Sequence, residues 1–175
     1  MTPRPVSVPA PFIAPERLRP ILLLLFVASG CAALIYEIVW FQLLSLIVGS
    51  SAVSMGVLLA VFMGGMCLGS VAFSSVVSRT RHPLRVYAAL ELGIGLFGLI
   101  ILFGLPLISG FYISLGGPGF SGVIFRALFC AVCLLPPTIL MGATLPAIAR
   151  WIEGTASGVS WLGFLYGGNT VGAVF

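Results

Sequence analysis

The sequence predicts an all-α polytopic membrane protein, a bundle of about five transmembrane helices with its N-terminus in the cytoplasm. Three observations carry this. Hydrophobic residues make up 60% of the chain and charged residues only 7%, whereas soluble domains average about 25% charged residues, so most of these side chains meet lipid or one another. Apolar runs recur five times along the 175 residues, and about 20 apolar residues suffice to cross a bilayer as a helix. The eight basic residues, all arginine, lie mostly between those runs.

Residues 1–20 form a Pro-rich cytoplasmic tail: Pro3, Pro5, Pro9, Pro11, Pro15 and Pro20 deny helical hydrogen bonds and favour extended backbone. Residues 21–175 form the transmembrane helical domain. The first span runs from Ile21 to about Val48, broken in polarity only by Glu37 and Gln42, and Gly49, Ser50 and Ser51 turn the chain. A second span, about Ala52 to Val77, ends in Ser78, Arg79, Thr80, Arg81, His82 and Pro83. The third covers about Leu84 to Leu105, where Pro106 ends or kinks it. A glycine-rich connection without charge, Leu107 to Ser121, leads to a fourth span from about Gly122 to Trp151. The fifth begins near Ser157 and is still apolar at Phe175.

Orientation follows from the arginines, because loops retained in the cytoplasm are enriched in Arg and Lys. Arg4, Arg17 and Arg19 precede the first span, Arg79, Arg81 and Arg85 surround the second loop, and Arg150 ends the fourth span. All fall on one side, which places the tail in the cytoplasm and the uncharged glycine connection outside; Arg126 alone sits toward the outer face. Membrane orientation also explains the net charge of +4, so no nucleic-acid partner is expected. The start of the first span resembles a secretory leader, and Ala28-Ser29-Gly30-Cys31 approaches a lipoprotein box. Cleavage is not expected, since the chain stays apolar through Tyr36 instead of turning into a polar tether.

Polar groups inside the spans are where function has to lie, because a charge in lipid is costly and is paired or set against a polar cavity. Glu37 lies in the outer half of the first span and Arg126 just inside the outer end of the fourth, so an interhelical pair is expected. Glu91, about two turns into the third span, lies within reach of Arg85 or Arg150; it and Asn169 in the fifth span form a second polar site. A proton or cation relay through Glu37 or Glu91 is the sharper reading of these acids, structural pairing the plainer one, and simple protonation in the bilayer a third. Gly65-x-x-x-Gly69, Gly163-x-x-x-Gly167 and Gly168-x-x-x-Gly172 have the spacing at which helix backbones approach closely. Pro136, Pro137 and Pro146 interrupt the fourth span, and Thr138, Thr144 or neighbouring helices have to satisfy the carbonyls they free near Leu134 and Gly142. Broken helices of this kind line binding sites in transporters, although a structural kink is the simpler reading.

Other chemistries are excluded by missing residues. There is no aspartate for a triad or a carboxylate metal cluster, and the one histidine, His82, lies in a loop, so no intramembrane haem ligand is expected. The glycines of Gly64-Gly65 and Gly116-Gly117-Pro118-Gly119 lack the flanking strand, helix and lysine of a phosphate loop. Cys31, Cys67, Cys130 and Cys133 all fall in apolar spans, where thiols pack as small hydrophobes. Cys130 and Cys133 have a redox or metal spacing with no further ligand nearby, and are read as contact residues. No cofactor and no metal site are expected.

Particular stretches carry a resemblance. Ser29-Gly30-Cys31-Ala32-Ala33-Leu34-Ile35-Tyr36-Glu37-Ile38-Val39-Trp40, Leu43-Leu44-Ser45-Leu46 with Gly49-Ser50-Ser51, and Phe62-Met63-Gly64-Gly65-Met66-Cys67-Leu68-Gly69-Ser70 open it. Pro83-Leu84-Arg85-Val86-Tyr87-Ala88-Ala89-Leu90-Glu91-Leu92-Gly93-Ile94-Gly95, Gly142-Ala143-Thr144-Leu145-Pro146 and Leu165-Tyr166-Gly167-Gly168-Asn169-Thr170-Val171-Gly172-Ala173 continue it in order. Together they resemble the transmembrane domain of the spermidine synthase-like (polyamine aminopropyltransferase-like) membrane protein family, over nearly the whole chain after the tail.

The resemblance implies a membrane region that in typical members precedes a cytoplasmic aminopropyltransferase-like domain. These 175 residues contain no counterpart of the motif that would bind decarboxylated S-adenosylmethionine, nor of the acids that would hold a polyamine. What carries over is Glu37, Glu91, Asn169 and the glycines, as positions matching membrane motifs. Family members often have an arginine two residues after the tryptophan, where this chain has Gln42. The expected function is therefore a non-catalytic membrane module acting as anchor or scaffold in the bacterial inner membrane. The alternatives are an accessory subunit of a larger inner-membrane complex and a small transporter using Glu37 and Glu91. The expected partners are the lipid bilayer and other membrane protein subunits.

Overall fold

The computed structural model describes residues 19–48, 51–76, 82–107, 119–152 and 156–174. These form five helices: α1 (Arg19–Val48), α2 (Ser51–Val76), α3 (Pro83–Leu107), α4 (Phe120–Ile152) and α5 (Ala156–Gly172). Among the described residues there is no strand. The first four helices are long and apolar enough to cross a membrane. The fifth has 17 residues, which at 1.5 Å per residue gives about 26 Å, slightly short of a hydrocarbon core of about 30 Å. Most of the Pro-rich tail, Gly49 and Ser50 of the first turn, Arg79 and Arg81, the glycine connection over 108–118, and Phe175 lie outside the described residues.

Local chemistry sets several helix ends. Helix α3 starts where the His82 carbonyl accepts from the backbone N–H groups of Arg85 (3.0 Å) and Val86 (3.3 Å), with Pro83 at the first helical position, where its missing N–H removes no bond. Pro106 lies inside the last turn of α3, which stops one residue later. Ahead of α4, Gly119 has φ +97°, a conformation that any Cβ would strain, and its carbonyl accepts from Val123 at 3.2 Å. Helix α4 continues through Pro136, Pro137 and Pro146. The Thr138 hydroxyl donates to the carbonyls of Leu134 (3.1 Å) and Leu135 (2.9 Å), and that of Thr144 to Met141 (2.8 Å). The proline-rich stretch is thus one helix with hydroxyls bonded into its backbone, where the sequence suggests an interrupted one.

The helices alternate in direction, as two hydrophobic clusters show. At one end, Leu22 and Phe26 from the start of α1 meet Phe73 near the end of α2, Tyr87 at the start of α3, and Ile148 and Trp151 at the end of α4. At the other, Trp40, Leu44 and Val48 meet Leu58, Ile101, Ala127, Cys130 and Leu134. Helix α4 is central, packing along α2 and α3, while α5 packs chiefly along α1. Outward faces are apolar on every helix: Leu46 is 81% exposed, Leu92 76%, Leu128 63% and Phe164 66%. A water-soluble monomer does not leave so extensive an apolar surface uncovered.

Glycines fix the two tightest helix pairs. A Cβ on Gly65 would strike Thr138, one on Gly69 the backbone of Ile139 and Ala143, and one on Gly142 the backbone of Met66, so α2 and α4 are in backbone contact. Between α1 and α5, Gly30 abuts the backbone of Asn169, Gly172 that of Val27 and Cys31, and Gly168 the Leu23 side chain. Gly163 and Gly167 differ from the expectation of a third contact: an added Cβ there meets nothing within 4 Å. The reason is helical phase. At about 100° per residue, a helix turns only one stripe toward a given neighbour, and α5 turns the stripe of Gly168 and Gly172 toward α1.

Candidate functional site: a polar cavity lined by all five helices

Between the two apolar clusters lies a layer of a different character. Ser29 stands ten residues into α1 and Glu91 eight residues into α3, depths of about 15 Å and 12 Å from helix ends on the same side. The Ser29 hydroxyl donates to the Glu91 carboxylate at 3.0 Å across that gap. The Tyr87 hydroxyl, one turn before Glu91 on α3, faces both groups, and its ring stacks on Phe26 of α1 with centroids 5.4 Å apart. On the far side Asn169 of α5 donates through Nδ2 to the Phe26 carbonyl at 3.1 Å. The depth of Glu91 matches the sequence expectation, but its partners do not. Ser29 and Tyr87 meet it, while Arg85 is exposed and the Arg150 guanidinium lies 4.7 Å from the Phe73 ring centroid. A stacked arginine of this kind keeps its charge near the bundle end and out of the apolar middle.

Ser29, Glu91 and Asn169 line a cavity of about 100 Å³. Every helix contributes to it: Ser29 and Tyr36 from α1, Phe62 and Met66 from α2, Glu91 from α3, Thr144 from α4 and Asn169 from α5. A larger space of about 530 Å³, bounded by Cys67, Ser70, Pro146, Ala149, Leu162 and Tyr166, shares Met66, Met141, Thr144 and Asn169 with it. The two spaces thus adjoin at these residues. The structure brings Glu91 and Asn169 to one cavity; neither Glu37 nor Arg126 lines it. Both of those residues are half-buried, Glu37 on α1 one turn before Trp40 and Arg126 on α4 one turn before Cys130.

Sequence reasoning missed Ser29 and Tyr87. Equal depth on two helices that start on the same side was the available signal for Ser29, and the i, i+4 spacing to Glu91 was the signal for Tyr87. The four cysteines are free thiols, and among the described residues no three metal-ligating side chains converge.

The hydrogen bond between Ser29 and Glu91 gives a direct test of this layer. Ser29→Ala should lower the stability of the solubilised protein by about 1 kcal/mol, the usual net worth of a side-chain hydrogen bond in a membrane bundle. Thr170→Ala, which removes an exposed hydroxyl bonded only within its own helix at 3.0 Å, should leave stability unchanged in the same thermal unfolding assay.

No family model, no curated protein and no solved structure matches the chain.

Proposed function

We propose that this chain is a non-catalytic membrane module of the spermidine synthase-like kind, embedded in the bacterial inner membrane and acting as an anchor or scaffold for other membrane subunits. The observation that carries the reading is the distribution of polarity. Apolar side chains cover the outside of every described helix, while Ser29, Glu91, Thr144 and Asn169 turn inward to one cavity. Such a body is solvated by lipid and offers partners an apolar lateral surface. The reading includes five spans and a cytoplasmic N-terminus. Arg19, which lies 5.0 Å from the Trp161 ring centroid, and Arg150 sit at the same end of the bundle, as the enrichment of basic residues on the cytoplasmic side requires.

Cysteine accessibility tests the orientation. In a variant whose four native cysteines are replaced by alanine, a single cysteine placed at Gly117 should react with an impermeant thiol reagent in intact cells. One placed at His82 should react only after the membrane is opened. The reverse pattern would invert the bundle.

A second reading, a small transporter, is favoured by one specific observation: the Glu91 cavity shares four lining residues with a larger space that reaches toward the end carrying Arg150. A substrate path through a bundle needs such a polar chamber at depth, and a scaffold does not.

A further inference from the structure

We propose that the cavity around Glu91 is a binding site for one compact monovalent cation; the inference rests on the reading of the chain as a membrane-embedded bundle and gives the transporter alternative its substrate class. A carboxylate at this depth has to be compensated. Among the described residues, what faces Glu91 is a set of oxygen groups. Ser29 brings a hydroxyl to the cavity wall, Tyr87 directs one at the carboxylate from outside that wall, Thr144 lines the cavity, and Asn169, with Nδ2 committed to the Phe26 carbonyl, has its amide oxygen left to accept. Among the described residues, no arginine or histidine lines either space. One acid and several neutral oxygens match one positive charge with a few donor or coordination positions. They do not match a divalent ion, which takes more carboxylate, or an anion.

Size narrows the class further. The cavity measures about 100 Å³, where a single water needs about 10–15 Å³ on this measure. That admits a sodium ion with part of its hydration or an ammonium head of a few heavy atoms, but no nucleotide. The rings of Tyr36 and Phe62 on the wall add faces against which an organic cation is favoured. The adjoining larger space, which shares Met66, Met141, Thr144 and Asn169 with the cavity, supplies the approach.

The test uses the full chain purified in detergent, after washing the source membranes with alkaline carbonate. Thermal unfolding is followed while sodium chloride or methylammonium chloride replaces tetramethylammonium chloride at constant ionic strength. The expected result is a saturable rise in Tm with one or both of the smaller cations, about 5 °C or more at a hundred times the Kd. Whether sodium or methylammonium gives it identifies the ion. Glu91→Gln should abolish the rise and Glu91→Asp should weaken it. Should Glu91→Gln not fold, size discrimination in the parent decides alone. A linear drift without saturation, an equal response to all three cations, or an undiminished rise in a folded Glu91→Gln variant would overturn the site. Protein that stays in the washed membranes and then shows no saturable rise refutes the cation site and leaves the membrane reading standing. Release by carbonate refutes the membrane reading itself.

Discussion

Replacing Gly69 or Gly172 with leucine should destabilise the solubilised protein by about 3 kcal/mol or more, because the new side chain would meet backbone and not a movable side chain. Gly69 faces the Ile139 carbonyl and the Ala143 nitrogen, and Gly172 the Val27 carbonyl and the Cys31 nitrogen. Neither contact can be relieved by a rotamer change, so α2 would have to leave α4, or α5 leave α1. Gly65→Leu should cost less than Gly69→Leu, since the atoms met first belong to the Thr138 side chain. Gly163→Leu is the control: it adds the same side chain where nothing lies within 4 Å and should be tolerated. Thermal unfolding of the four variants in one detergent ranks them, and equal stability of Gly69→Leu and Gly163→Leu would show that the α2 face carries no close contact.

Glu37 and Arg126 should prove energetically coupled. Glu37 lies one turn before Trp40 and Arg126 one turn before Cys130, and Trp40 and Cys130 belong to one cluster, so the two charged positions flank the same apolar patch of neighbouring helices. Removing one partner of a buried pair costs about 3–5 kcal/mol, because it strands the other charge, and a half-buried pair costs less. Glu37→Gln and Arg126→Gln should therefore each be destabilising, with the double variant milder than their sum by about 0.5–3 kcal/mol. Strict additivity would show that each group finds its compensation elsewhere.

The architecture was legible in the sequence because membrane helices announce themselves through length and apolarity alone. The five helices fall close to the expected bounds, the largest departure being α5, which ends at Gly172, and four of them are long and apolar enough to cross a membrane. Lateral packing was legible only in part. The i, i+4 glycine spacing flags a helix that could approach another closely, yet it does not say which stripe does so. Gly163 and Gly167 satisfy the same pattern as Gly168 and Gly172 and face open space. Conversely, Gly30 and Gly142 make backbone contacts as tight as any without belonging to a repeat. The polar site was half visible: a lone glutamate inside a span stands out against lipid, whereas a serine does not. Only the relative depth of the two helices joins Ser29 to Glu91. The same holds for Tyr87, which reads as an ordinary aromatic until the carboxylate one turn later is placed beside it.

The pairing of α1 with α5 has a consequence for the order in which the bundle can be assembled. The bond from Asn169 to the Phe26 carbonyl joins residues 143 positions apart, and the surface of α1 around Gly30 is covered only when the last helix arrives. A chain emerging from the ribosome N-terminus first must therefore hold its first helix in the membrane with that face uncovered while three further helices are inserted. Docking of α5 on α1 is a late, non-local event of the slow kind. During that interval the uncovered face of α1, small at Gly30 and carrying an additional acceptor at Phe26, is open to the lateral approach of other membrane helices. Chains interrupted before Asn169 would keep that face open, and should be trapped by foreign helices or cleared by membrane proteases more readily than chains that include α5.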